Sequence, residues 1–266
     1  MKESTLQFLC NPTTKEDLRL EITESGEEVL VSVDSGQRFP IKNGIPVFIH
    51  ADQVVGLNKK YQGIYDRLAR SYDFFEKIVS DLALGGRDNA RRDLVRGIAL
   101  HPGDKFLEVS IGTGINLRYL PAGAVFYGLD ISAGMLAQCQ RNLEKWRLQA
   151  ELFQGMAEQL PFRDGIFDVV FHVGGFNFFE NKEQALQEMI RVAKGGAKII
   201  ISDETEEVAK TWGKSRLPFA RAFFANRKEE ITAPIHLVPS TVLDVRVEQR
   251  LKGKLYLLSF VKPPIT

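Results

Sequence analysis

Apolar positions along this chain of 266 residues follow two rhythms. Over residues 1–50 they alternate or come in short bursts: Leu18-Arg-Leu-Glu-Ile-Thr23, Glu28-Val-Leu-Val-Ser-Val33, and Arg38-Phe-Pro-Ile-Lys-Asn-Gly-Ile-Pro-Val-Phe48. Period-two runs around the turn at Asp34-Ser-Gly36 predict strands, hence a small β-rich domain. From about Leu57 the spacing lengthens. Tyr65, Leu68 and Tyr72 recur at i, i+3 and i+7, which is one face of a helix. Beyond it, apolar bursts at 105–109, 125–129, 151–154, 168–171 and 197–202 read as buried strands. Helical spacing fills 87–100, 134–148 and 182–193 between them. The last two bursts, 241–248 and 254–261, flank Lys252-Gly-Lys254 and predict a terminal hairpin. Strand and helix in alternation make this an α/β fold built on a parallel sheet.

Candidate chemistry gathers at Phe106-Leu-Glu-Val-Ser-Ile-Gly-Thr-Gly-Ile115 and Phe126-Tyr-Gly-Leu-Asp130. Gly112 and Gly114 let the backbone turn sharply off a strand and approach a ligand closely. Asp130 follows Glu108 by 22 positions, where a second parallel strand delivers a carboxylate to the same crevice. A carboxylate there suits the two hydroxyls of a ribose, so the expected ligand is an adenosine-containing cofactor. A dinucleotide site wants Gly-x-Gly-x-x-Gly, but the third position here is Leu117. Glu108, ahead of the glycines, would repel a pyrophosphate and suits the ammonium and sulfonium of S-adenosylmethionine (SAM).

Glu108-x-Ser110-x-Gly112-x-Gly114 resembles motif I of the class I SAM-dependent methyltransferases, with Ser110 in the place of the first glycine. Asp130-Ile-Ser-Ala-Gly-Met135 resembles their acidic second motif. Gln154-Gly-Met-Ala-Glu-Gln-Leu-Pro-Phe162 is similar to a third segment, with Met156 where relatives carry an aspartate. The stretch from Tyr61 to Asp73 resembles the opening of the ubiquinone/menaquinone-biosynthesis-like and phospholipid-type members. The likeness covers 58–262 and implies a Rossmann-like sheet of seven strands. It also implies roles: Glu108, Ser110, Gly112 and Gly114 at the cofactor, Asp130 on the ribose, and Ile131 or Met135 against the adenine. Met156 would pack on that ring and the Ala157 amide would bond it, while Tyr65 and Tyr72 belong to a covering helix. His172, in Phe171-His-Val-Gly-Gly-Phe-Asn-Phe-Phe179, is the candidate cofactor contact and proton acceptor; its other reading is a hydrogen-bonded structural histidine. Asn116, His236 and Glu204 are further candidates. No Asn/Asp-Pro-Pro-Tyr/Phe and no Pro-Cys occurs here, which argues against DNA as a substrate.

Residues 1–50 resemble the Trm112-like small β domain, through Phe39-Pro-Ile-Lys-Asn-Gly-Ile-Pro46. A zinc ribbon needs four soft ligands, and Cys10 is the one cysteine in this segment. The expectation is a module without a metal site that packs on the main domain or presents a partner surface. With Cys139 the only other cysteine, no apolar run of membrane-spanning length and no signal peptide, the chain reads as cytoplasmic. A net charge of +1 supplies no bulk drive toward nucleic acid. One segment departs from that neutrality: 210–228 holds six basic residues and no acid, interleaved with Trp212, Leu217, Phe219, Phe223 and Phe224. It would close over the acceptor, touch a membrane surface, or form an ordinary amphipathic helix. The expected function is methyl transfer from SAM to a small-molecule or lipid/quinone-like acceptor by in-line displacement. The alternatives are an RNA or protein methyltransferase that docks through 1–50, and a SAM-binding protein without turnover.

Overall fold

The computed structural model describes residues 3–50, 52–83, 86–214 and 230–264. A short helix α1 (Glu3–Leu6) precedes four antiparallel strands in the order of the chain: β1 (Leu18–Ile22), β2 (Glu28–Ser32), β3 (Arg38–Lys42) and β4 (Ile45–Pro46). Helices α2 (Gly56–Ala83) and α3 (Arg87–Val95) lead into the main sheet. Its elements are β5 (Lys105–Val109), β6 (Val125–Asp130), α4 (Ala133–Trp146), β7 (Ala150–Gln154), β8 (Phe167–Val173), α5 (Lys182–Val192), β9 (Ala193–Glu204), α6 (Glu206–Gly213), β10 (Leu243–Arg250) and β11 (Leu255–Val261). The spatial order is β10-β11-β9-β8-β5-β6-β7, parallel from β9 to β7, with β11 antiparallel to both its neighbours. This is the Rossmann-like sheet of seven strands, with the small β-rich sheet before it. Strand order reverses between β5 and β8, and a crevice opens there at the carboxyl ends.

Apolar residues cover both faces of the central strands, which explains why those strands read as continuous runs. Leu107, Val109, Leu129, Phe153 and Val170 enter one core; Phe106, Phe126, Leu152 and Phe171 enter the other. Two elements differ from the sequence expectation. The helix predicted over 87–100 ends at Val95, because Arg96 is extended and Gly97 turns at φ +84°. The fifth parallel strand starts at Ala193 instead of 197, directly off α5. No helix among the described residues is long and apolar enough to cross a membrane.

The N-terminal module grips the main sheet at its β7 edge. Val47 bridges Gln154 in parallel, and the Phe48 N–H donates to the Gln154 carbonyl at 2.8 Å. On the other side of the same segment, the Cys10 N–H donates to the Pro161 carbonyl at 3.0 Å. The Arg163 N–H donates to the Phe8 carbonyl at 2.8 Å, and Leu9 bridges Phe162. An exposed sheet edge is thereby covered. The Phe8 ring meets Tyr127 edge-on at 5.4 Å and Phe167 at 6.4 Å, deep in the main core. Cys10 is a buried free thiol whose pKa burial pushes up. Truncating the ring in Phe8→Ala should lower stability by about 3–5 kcal/mol. A urea titration read by fluorescence checks this, and an unmoved midpoint would show that the module packs loosely.

Candidate active site

Helix α2 roofs the crevice, and three carboxylates hold it there. Asp66 Oδ1 accepts from Ser132 Oγ at 2.5 Å and from the Gly134 N–H at 2.9 Å. Asp73 accepts from Thr113 Oγ1 at 2.5 Å and Asn142 Nδ2 at 2.7 Å. Glu76 pairs with Arg91 at 2.9 Å. Positions 66, 73 and 76 form a stripe of α2 beside that of Tyr65, Leu68 and Tyr72, so the anchors flank the ceiling of the cavity. Gln62 Nε2 adds a bond to the Ile131 carbonyl at 3.0 Å.

The turn after β5 makes the floor. Ser110, Gly112 and Gly114 have φ of +61°, +57° and +76°. A Cβ on Gly112 would meet no protein atom within 4 Å, whereas one on Gly114 would come within 2.7 Å of Cys139 Sγ. Gly112 leaves space beside the cavity; Gly114 lets α4 pack under the turn. Asp130 ends β6 with its carboxylate fixed by the Gly112 N–H (2.8 Å) and the Ser132 N–H (2.9 Å). Ser132 caps α4 by accepting from the Met135 N–H at 3.0 Å. Burial lifts the Asp130 pKa to about 6 despite those amides.

These walls enclose a cavity of about 300 Å³, within the range of small-molecule sites. Of the residues expected at the cofactor, Ser110, Gly112, Asp130, Ile131 and Met135 line it. So do Met156, Ala157, Tyr65 and Tyr72. Glu108, Gly114 and His172 do not. Glu108 is buried beneath the floor, where Asn116 Nδ2 donates to it at 2.5 Å and Arg91 in turn holds the Asn116 oxygen at 3.1 Å. Burial pushes its pKa up to about 8, so it carries little charge at neutral pH and offers a sulfonium no direct counter-ion.

His172 is fully buried. Its Nδ1 bonds the Val109 carbonyl at 2.9 Å, and its ring lies against Phe176 and Phe179 at 5.8 and 5.1 Å. Burial holds its pKa below the ordinary value. The expected proton acceptor is thus a neutral structural histidine. Asn116 serves the Glu108–Arg91 link, His236 is exposed on a short 3-10 turn, and Glu204 lines the cavity.

Sequence reasoning missed the roof anchors Asp66 and Glu76, and also Arg91, Asn58, Tyr61, Glu158 and Asp203. The acids of α2 did carry a signal, because they repeat at i, i+7 and i+10 beside the tyrosine face. Asn58 Nδ2 lies 4.0 Å from Met156 Sδ and donates to Glu158 at 3.0 Å. The Tyr61 ring stacks on Phe178 at 4.1 Å. Of the basic segment 210–228, residues 215–228 lie outside the described residues; Lys210 pairs with Glu206 and Glu230, each at 3.7 Å.

SAM fits this donor set. One carboxylate is already oriented for vicinal hydroxyls, Gly112 offers a wall without a side chain, and aromatic and thioether surfaces suit a purine. A family model described as a methyltransferase domain matches residues 107–201. The chain is 32% identical over 155 residues to a demethylmenaquinone methyltransferase of Bacillus mycoides, covering 56% of this chain and 63% of that protein. It is 33% identical over 183 residues to a ubiquinone/menaquinone biosynthesis C-methyltransferase of Xanthomonas campestris, covering 66% of this chain and 70% of that protein. It therefore spans less than two thirds of the Bacillus protein. A solved SAM-dependent methyltransferase of Thermotoga maritima, described as a possible histamine N-methyltransferase, aligns with a TM-score of 0.58 at 19% identity. That alignment covers 76% of this chain and 99% of the other, and at this identity it speaks for the fold.

Two outcomes are expected. Ribose binding needs the Asp130 carboxylate charged, so S-adenosylhomocysteine affinity should fall as pH drops through about 6, approaching tenfold per unit below it. Asp130→Asn should bind weakly with a flatter profile; calorimetry at several pH values would reveal a wild-type profile equally flat if this is wrong. Ser110 holds a left-handed backbone that favours glycine, so Ser110→Gly should gain about 1 kcal/mol. Thermal melts check that gain.

Proposed function

The chain belongs to the class I SAM-dependent methyltransferases, with SAM as cofactor, and on that premise we propose that it methylates a small quinone-like aromatic acceptor. The observation that carries this reading is the continuity of one cavity, from the Asp130–Gly112 corner to a pole formed by Tyr65, Tyr72, Leu94, Val173 and Leu255. The quinone-biosynthesis names of the curated relatives support the acceptor class. Bound SAM supplies a methyl group already activated on a sulfonium, so an in-line displacement depends mainly on position. Asp130 would accept from both ribose hydroxyls, and Ile131 and Met135 would flank the adenine. With Met156 in place of an aspartate, the adenine amino group lacks one acceptor, at a cost of about 1 kcal/mol. The Ala157 amide, on the cavity wall, would bond the ring.

The N-terminal module, read as a Trm112-like domain without a zinc site, would act by holding the segment 154–163 in place. That segment carries Gly155, Met156, Ala157 and Glu158 into the cavity wall. The acceptor reading is tested with methyl-labelled SAM and reduced 1,4-naphthoquinone. Label should appear on the naphthoquinol ring and not on histamine or phosphoethanolamine. Transfer to either amine instead, or to none of the three, would overturn it.

A further inference from the structure

Asp130 and Glu204 lie at the ends of strands three steps apart in the sheet, roughly 14 Å at ordinary strand spacing. The adenosine corner and the end of β9 are therefore opposite poles of one cavity. At the β9 pole two consecutive carboxyls, Asp203 and Glu204, both line the wall. Asp203 is held by the Gly175 N–H at 3.2 Å, the Asn177 N–H at 3.2 Å and Asn177 Nδ2 at 2.8 Å. Glu204 hydrogen-bonds the Asp203 carboxyl.

A buried carboxyl and a half-buried one in contact do not both ionise readily, and the amides decide which one does. Burial works to raise Asp203, yet the bond from Glu204 and the amides together hold its pKa below the usual range. Burial, and then the Asp203 charge, push Glu204 well above its own. The proton of the pair thus sits on Glu204 and points at Asp203. The Glu204 carboxyl, in contact with Asp203 and its own backbone N–H, also lines the cavity wall. Arg91, whose charge bears on Glu204, is engaged with Glu76 and Asn116.

We propose that the Asp203–Glu204 pair takes the hydroxyl proton of the methyl acceptor, with Glu204 as the catalytic residue and Asp203 as the positioning residue that receives the charge. The inference rests on the quinone-like reading and makes the reduced, hydroxyl-bearing form the substrate. The acceptor's ring O–H donates to a Glu204 oxygen. Electrons of the ring form the bond from the carbon beside that hydroxyl to the methyl group, the methyl–sulfur bond breaks, and its pair stays on sulfur. The oxygen of the methylated ring is then a protonated carbonyl, a strong acid. Its proton passes to Glu204 as the Glu204 proton passes to Asp203, so a weakly basic pair suffices. Loss of the ring C–H proton to water restores the aromatic ring, and the pair returns its extra proton to the ring oxygen, so one proton is released overall.

The test compares wild type, Glu204→Gln and Glu204→Leu, each loaded first with S-adenosylhomocysteine to confirm an intact cofactor site. Wild type should bind 1,4-naphthoquinol at least tenfold tighter than 1,4-naphthoquinone. Glutamine keeps an acceptor oxygen and a donor to Asp203 but relays no proton. Glu204→Gln should therefore hold naphthoquinol within about threefold of wild type while kcat falls roughly a hundredfold. Glu204→Leu should lose both the preference and the turnover. If wild type methylates naphthoquinol and Glu204→Gln matches its kcat, the relay is wrong and the acceptor reading stands. If wild type neither binds nor methylates naphthoquinol, the acceptor reading falls and takes the relay with it.

Discussion

Three carboxylates on one face of α2 decide whether this protein has a cavity or an open sheet edge. Asp66 reaches the start of α4, Asp73 reaches the glycine turn and Asn142, and Glu76 reaches Arg91 on α3. Those of Asp73 and Glu76, half-buried, are charge-assisted bonds of about 1.5–3 kcal/mol, while exposed Asp66 contributes less. Their targets are the elements that shape the cofactor corner, so closing the roof and fixing the floor are one event. Tyr65 and Tyr72, on the adjoining stripe, are brought over the cavity as a consequence.

Such a site gathers acids that water no longer solvates. Glu108 and Asp130 are driven up to about 8 and about 6, Glu204 rises well above its usual range, and only Asp203 is held low. Burial is the largest raising influence on the first three, and each would ionise more readily beside a cation. A positively charged cofactor supplies that cation.

The parallel strands, the terminal hairpin and Asp130 were legible because burial on both faces writes continuous apolar runs into a sequence, and because strand ends converge on the crevice. What the runs do not carry is the direction of a side chain at the last residue of a strand. His172 and Glu108 sit near the right edge, but their side chains belong to the packing beneath it. Gly114 was misassigned for another reason: a Cβ is excluded by Cys139 Sγ, a neighbour in space 25 positions away. The roof anchors stayed hidden because an acid on a helix reads as a solvated face until its donors are known. The edge pairing of Val47 and Phe48 with β7 is likewise a long-range event, and alternation gives strands without naming their partners.

That edge pairing bears on the adenine end of the site. The loop after β7 lines the cavity with Met156 and Glu158, and its flanks are bonded to Phe48 on one side and to Phe8 and Cys10 on the other. Lys15 adds a bond to Glu188 at 2.9 Å, the same carboxylate that accepts the Leu160 N–H at 2.7 Å. A loop pinned at both flanks keeps its backbone amides in place even where the side chain offers no hydrogen bond. The departure at Met156 and the presence of the module are therefore connected. In the proposed reading, where a relative's aspartate would order the adenine by its own charge, this chain would order it through a backbone that a second small sheet holds still.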